Sequence, residues 1–283
     1  MKKAFFFVAI SVVAACSTSK NASKVQLANS PISMQQPTNT RFKKLVWSDE
    51  FNYKGLPDST KWGYDKGNGC PNNCGWGNNE LQYYTVKKLE NARVDDGKLI
   101  IEAKKEDFDG MKYTSTRLVT KNKGDWKYGR FEIKAKLPAG KGMWPAIWML
   151  PTKWAYGGWP HSGEIDIMEN VGYLPDSVYG TVHTGAFNHV KGTQKTKGLL
   201  RTDLSKAFHV YSIEWTENEM QFFVDDEKYL TINKGANTEE WPFDKEFHLL
   251  LNIAVGGNWG GKYGVDDSIF PQKMIVDYVR VFQ

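Results

Sequence analysis

From residue 41 to residue 283 the chain is a run of short segments rich in alternating, β-branched and aromatic residues. None carries a sustained apolar stripe of 3.6-residue period. Ten segments show the pattern most plainly: Lys98–Lys104, Tyr113–Thr120, Gly129–Leu137, Ala146–Leu150, Glu164–Met168, Val178–His183, Phe208–Trp215, Met220–Val224, His248–Val255 and Met274–Phe282. Gly, Pro, Asn and Asp punctuate them, as at Asp95-Asp96-Gly97 and Leu137-Pro138-Ala139-Gly140. Strands that follow one another without helices argue for an all-β fold, an antiparallel sandwich or jelly roll. No internal repeat and no Pro/Gly-rich linker interrupts the stretch, so one large sandwich is expected rather than two domains.

The first residues read differently. Lys2 and Lys3 precede an apolar run, Ala4 to Ala15, that ends at Cys16. The run is too short to span a bilayer as a helix and reads as a secretory signal. Val13-Ala14-Ala15-Cys16 resembles a bacterial lipobox. That resemblance implies cleavage before Cys16, lipid on its sulfur and attachment to a bacterial membrane, facing the periplasm or the cell surface. A plain signal peptide with an incidental cysteine is the alternative. Residues 16–40 are rich in Ser, Asn, Gln, Thr and Lys, hold no aromatic residue, and read as a flexible tether. Residues 1–15 are then signal and residues 41–283 the folded domain. The formal charge of +5 is too mild for a nucleic-acid binder, and a monomer is the default expectation.

Three cysteines exclude a disulfide scaffold. Cys70 and Cys74 share the loop Gly69-Cys-Pro-Asn-Asn-Cys-Gly75. A disulfide, two free thiols and a metal site all remain open for this pair. Export favours the disulfide, and the lack of a second Cys/His pair at ligand spacing weakens the metal.

The segment Ser162-Gly163-Glu164-Ile165-Asp166-Ile167-Met168-Glu169-Asn170 carries the chemistry. On a strand Glu164 and Asp166 share one face and Ile165 and Ile167 the other. Plain alternation would then send Glu169 to the isoleucine side. A β-bulge at Ile167–Met168 would return it to the acids. Three carboxyls on one face raise one another's pKa, a cost that suits a glycosidase. A retaining enzyme needs a carboxylate nucleophile and a carboxylic acid about 5–5.5 Å apart. A calcium site and a solvated strand face are the blander readings. The surroundings favour catalysis. Of eleven tryptophans, Trp144, Trp148, Trp154 and Trp159 fall just upstream of Glu164. Spacing of four puts Trp144 and Trp148 on one strand face, where indoles can stack pyranose rings. About half of the eleven are expected in the core.

The segment Gly163-Glu-Ile-Asp-Ile-Met-Glu169 resembles the E-x-D-x-x-E signature of glycoside hydrolase family sixteen, especially its laminarinase-like β-glucanases. Other segments agree in order: Trp76-Gly-Asn-Asn-Glu-Leu-Gln-Tyr-Tyr-Thr85, Tyr113–Leu118, Tyr128–Ile133, Trp144-Pro-Ala-Ile-Trp148, Gly180–His183, Asn252–Gly257 and Asp277–Val281. The resemblance implies a concanavalin A-like jelly roll of two antiparallel sheets with a concave cleft. It implies Glu164 as nucleophile, Glu169 as acid/base and Asp166 as the assisting carboxylate. It places Trp144 and Trp148 on the glycone side and Asn79, Glu80 and Arg117 on sugar hydroxyls. His183 would sit near Asp166, and Trp259 would contact the aglycone. No cofactor is needed for catalysis. A structural calcium on the convex face would take the carbonyls of Glu50 and Gly97 and both oxygen types of Asp277. The implied substrate is β-1,3-glucan or mixed-linkage glucan. An algal galactan, a transglycosylase and a non-catalytic glycan-binding protein are the competing readings.

Overall fold

The computed structural model describes residue 1 and residues 40–283. The signal, the tether and Cys16 lie outside the described residues. All ten expected segments are extended, with Tyr113–Thr120 divided at Thr116.

One sheet holds, in spatial order, β16 (Glu227–Asn233), β15 (Glu219–Val224), β14 (His209–Trp215), β9 (Gly129–Lys136), β18 (Gln272–Phe282), β5 (Lys98–Phe108), β6 (Met111–Ser115) and β3 (Gln82–Tyr84). Alongside these, β1 (Leu45–Asp49) pairs β18 and β4 (Ala92–Asp95) pairs β5. The second sheet holds β13 (Lys195–Leu200), β12 (Ser177–His183), β11 (Glu164–Glu169), β10 (Met143–Pro151), β17 (Phe247–Val255), β7 (Arg117–Val119) and β2 (Gly63–Asp65), with β8 (Asp125–Trp126) on β17. The chain crosses from one sheet to the other between β9 and β10 and again between β17 and β18, so β10 pairs β17 and β9 pairs β18 although they are far apart in sequence. This is jelly-roll connectivity. One ladder corrects the expectation of purely antiparallel sheets: β3 runs parallel to β6. The chain passes through β4 and β5 between them, which is long enough for a parallel return.

Alternation builds the core between the sheets. Along β10, Met143, Ile147 and Met149 point inward; along β17, Phe247, Leu249, Leu251, Ile253 and Val255 do the same. They meet Phe131, Ile133, Tyr211, Ile213, Phe222 and Val279 of the other sheet. The tryptophans divide by place. Trp62, Trp126, Trp215 and Trp241 are buried, and Trp47 packs on them at the core's edge. Trp76, Trp144, Trp148, Trp154 and Trp159 line a cleft on the outer face of the second sheet, and Trp259 braces Trp144.

Near the N-terminal boundary, Arg41 pairs Glu219 at 2.8 Å. Cys70 and Cys74 are joined as a disulfide.

The three positions implied for calcium are also placed. Asp277 is the extra residue where β18 slips against β9, Gly97 turns β4 into β5, and Glu50 follows the last β1–β18 pair, Asp49↔Val279. The Asp277 carboxylate already faces Lys134 at 2.9 Å and Lys98 at 4.0 Å. Both Arg280 N–H groups hold Glu50. Calcium needs several hard oxygen ligands. At Asp277 it would have to compete with two ammonium groups that already supply the counter-charge.

Candidate active site

The acidic strand β11 is bulged. Against β12, Asp166 faces Thr181 while Glu169 faces Tyr179. Three steps on β11 therefore match two on β12. Against β10, Ile147 faces Met168 while Trp148 faces Asp166. The extra residue lets Ile165, Ile167 and Met168 all enter the core. Glu164, Asp166 and Glu169 consequently all reach the cleft, which encloses about 730 Å³. The wall beside them follows from simple alternation. Trp144, Ala146, Trp148 and Leu150 of β10 face the cleft, and so do Asn252 and Ala254 of β17.

Each outer acid carries an indole donor. Trp159 donates Nε1–H to Glu164 Oε2 at 2.8 Å, and Trp144 donates Nε1–H to Glu169 Oε1 at 3.0 Å. His183 Nε2 lies 3.4 Å from Asp166 Oδ2 and 3.9 Å from Glu164 Oε1. Burial, then the charge of Asp166, pushes Glu164 up to about 8. Burial pushes Asp166 up to about 7. Burial and the charge of Asp166 push Glu169 well above the carboxylate range. The trio thus holds its protons to far higher pH than free carboxyls do. The indole N–H and His183 both favour the anion of Glu164. Among the described residues, only Glu164, Asp166 and His183 bring three His, Asp, Glu or Cys donor atoms within 4.8 Å. With the carboxyls driven toward their neutral forms, that closeness suits proton sharing better than cation binding.

Residues 79–280 match the family model described as Glycosyl hydrolases family 16. The chain belongs to this family. It is a glycoside hydrolase with the family's jelly-roll fold, and it is 56% identical over 249 residues to a Beta-glucanase of Rhodothermus marinus, covering 85% of each chain. A laminarinase structure from the same organism superposes with TM-score 0.82 at 55% identity, covering 85% of this chain and 97% of that one. A non-specific endo-β-1,3(4)-glucanase, solved with a glucan oligosaccharide, gives TM-score 0.81 at 46% identity, covering 88% and 97%.

The remaining residues expected in this family-16 site divide into three groups. Trp144 and Trp148 line the cleft, and Trp148 donates its N–H to Asn252 at 2.7 Å. Arg117 and Glu80 also line it, but both are buried and engaged. Arg117 Nε donates to Asp65 at 2.8 Å, and its guanidinium lies 3.7 Å over the Trp76 ring. Glu80 accepts from Gln82 at 2.6 Å, and burial pushes its carboxyl up. Asn79 and Trp259 are set back. Asn79 donates to Asn258 at 2.7 Å, leaving Asn78 at the cleft wall. Trp259 packs edge-on against Trp144 and Tyr179. Trp76, His189 and Asn252 line the cleft without having been singled out from the sequence. Asn252 was recoverable, because it shares a strand face with Ala254. Trp76 sits in the distorted 3₁₀ turn Cys74–Gly77 and His189 in a loop turn, where no periodicity points.

Proposed function

We propose that this chain is an endo-acting retaining hydrolase of β-1,3-glucan, with mixed-linkage β-1,3-1,4-glucan as a second substrate. The observation that carries the reading is the bulged strand. It turns Glu164, Asp166 and Glu169 into one cleft beside Trp144 and Trp148. The names of the relatives, a Beta-glucanase and a laminarinase among them, point to the same substrates.

In this reading Glu164 attacks the anomeric carbon while Glu169 protonates the departing glycosidic oxygen. Glu169 suits the acid role, because burial and the neighbouring charge make it keep its proton. A covalent glycosyl-enzyme forms. Water then attacks it as Glu169 takes the proton back, and configuration is retained. Asp166 lies beside the nucleophile and tunes its charge. Indole faces supply flat apolar surface for the C–H side of each sugar ring.

The chain is further proposed to act outside the cytoplasm, anchored by lipid on Cys16 and held off the membrane by residues 16–40. Radiolabelled palmitate incorporation that disappears in Cys16→Ala supports the anchor, and incorporation that persists refutes it.

The test of substrate is reducing-sugar release from laminarin, lichenan, agarose and carrageenan. Cleavage of laminarin and lichenan is expected. Cleavage of the galactans alone refutes the substrate, and binding of laminarin without turnover indicates a lectin-like protein.

A further inference from the structure

The connection between β12 and β13 carries a side chain that the mechanism above does not use. His189 lines the cleft on the side of Glu164. Its ring lies 5.0 Å from the ring of Trp159 at an interplanar angle of 37°, and 5.1 Å from His183 edge-to-face. Trp159 is one-third exposed and otherwise stands at the cleft wall, yet its N–H holds the nucleophile at 2.8 Å. A partly exposed indole tethered by one hydrogen bond keeps its plane only if something packs on it; the His183 ring lies 6.0 Å away at 49°, and His189 is the nearer and more nearly parallel of the two.

The loop is built to hold His189 there. Asn188, immediately before it, is buried and donates Nδ2–H to the carbonyl of Thr184 at 3.0 Å. Its Oδ1 accepts the Lys191 N–H at 3.2 Å, and its own N–H goes to Thr193 Oγ1 at 3.2 Å. The Thr193 N–H returns to the Asn188 carbonyl at 3.0 Å, and Gly192 N–H bonds the carbonyl of His189 at 3.1 Å. Lys195 caps the Phe187 ring at 4.2 Å. The backbone on both sides of His189 is therefore fixed, and its ring rests between those of Trp159 and His183.

We infer that His189 is a positioning residue for the nucleophile, acting through the ring of Trp159. The inference rests on the reading of Glu164 as nucleophile. The groups facing Glu164 are Asp166 and Glu169 on its own strand, His183 on β12 and the indole of Trp159. Trp148 and Leu150, from β10, carry no charge. Loosening Trp159 weakens the one neutral donor that favours the Glu164 anion, so the acid's pKa rises.

His189→Ala and His189→Phe are compared with the wild-type enzyme on laminarin. His189→Ala is expected to lower kcat about tenfold or more with KM nearly unchanged, because small misplacements of reacting groups are costly. The acid limb of kcat/KM moves to higher pH. His189→Phe, which keeps a flat ring, recovers most of kcat. A raised KM at unchanged kcat would make His189 a sugar contact and overturn the inference. So would a lower thermal midpoint with neither kcat nor the acid limb displaced. A second readout needs no turnover. The ¹⁵N–¹H signal of the Trp159 indole, assigned with Trp159→Phe, titrates with Glu164, and its midpoint rises in His189→Ala. An unmoved midpoint refutes the positioning role. A wild-type enzyme inert on every glucan, with that midpoint still displaced, counts against the proposed function, while the coupling of His189 to the Glu164 carboxyl through Trp159 still holds.

Discussion

Trp144 donates its indole N–H to Glu169 at 3.0 Å, so one side chain is both cleft wall and partner of the proposed acid/base. Phe keeps the flat apolar face and removes the donor. In Trp144→Phe, kcat on laminarin should fall about tenfold, in keeping with loss of one hydrogen bond of about 1 kcal/mol. The indole N–H lowers the pKa of Glu169, so its removal should move the alkaline limb of the pH–rate profile upward. An unchanged alkaline limb would separate this bond from the acid/base.

Glu164 should cost the fold stability, and the cost should depend on pH. Its carboxyl is raised from 4.5 to about 8 by burial and then by the charge of Asp166. Below the unfolded value both states hold the proton and there is no penalty. As pH rises, the unfolded chain loses its proton first, and the penalty grows until the folded carboxyl also ionises. Glu164→Gln should therefore raise the melting temperature by at least about 3 °C near pH 9, where a kcal/mol is worth about 2–4 °C in a fold of this size. Near pH 4 the two proteins should melt together. Equal melting at both pH values would mean that the carboxyl is not raised.

The site was legible in the sequence where strand periodicity governs it. The conflict between alternation and three acids pointed to a bulge at Ile167–Met168, and the β10 and β12 ladders both slip there. Spacing of four placed Trp144 and Trp148 together for the same reason. Short edge strands such as Gly63–Asp65 and Asp125–Trp126 have too few residues for any period to show. Parallel pairing of Gln82–Tyr84 depends on a distant partner. The stacking of Arg117 on Trp76 and of His189 on Trp159 is set by loops whose course no local pattern encodes.

Gly180 is required by packing beneath the acids. A Cβ there would lie 2.6 Å from the Tyr229 hydroxyl and 2.9 Å from the Phe222 ring. Gly180→Ala should cost about 1–3 kcal/mol, the usual penalty of overpacking. Because Gly180 sits on β12 between Tyr179 and Thr181, which pair Glu169 and Asp166, activity should fall with stability. Chemical denaturation measures the first and laminarin turnover the second. A variant as stable as wild type would show that β12 yields freely.

Arg117 is held by geometry that lysine does not share. Its Nε bonds Asp65 at 2.8 Å while its plane lies 3.7 Å over Trp76. A lysine ammonium is not planar and cannot make both contacts. Arg117→Lys should lower stability by about 2 kcal/mol, taking the loss of one desolvated cation–π contact as a guide, since Arg117 is buried. It should also raise KM for laminarin by loosening the Trp76 wall. Unchanged KM would place that wall outside the substrate's path.

Double displacement by Glu164 and Glu169 is tested most directly by the anomeric configuration of the first product. Laminarin hydrolysis is followed by ¹H NMR from the first minutes, before mutarotation mixes the anomers. The β anomer should appear first and the α anomer grow in later. An α anomer appearing first would mean inversion, and the assignment of Glu164 as a covalent nucleophile would be wrong.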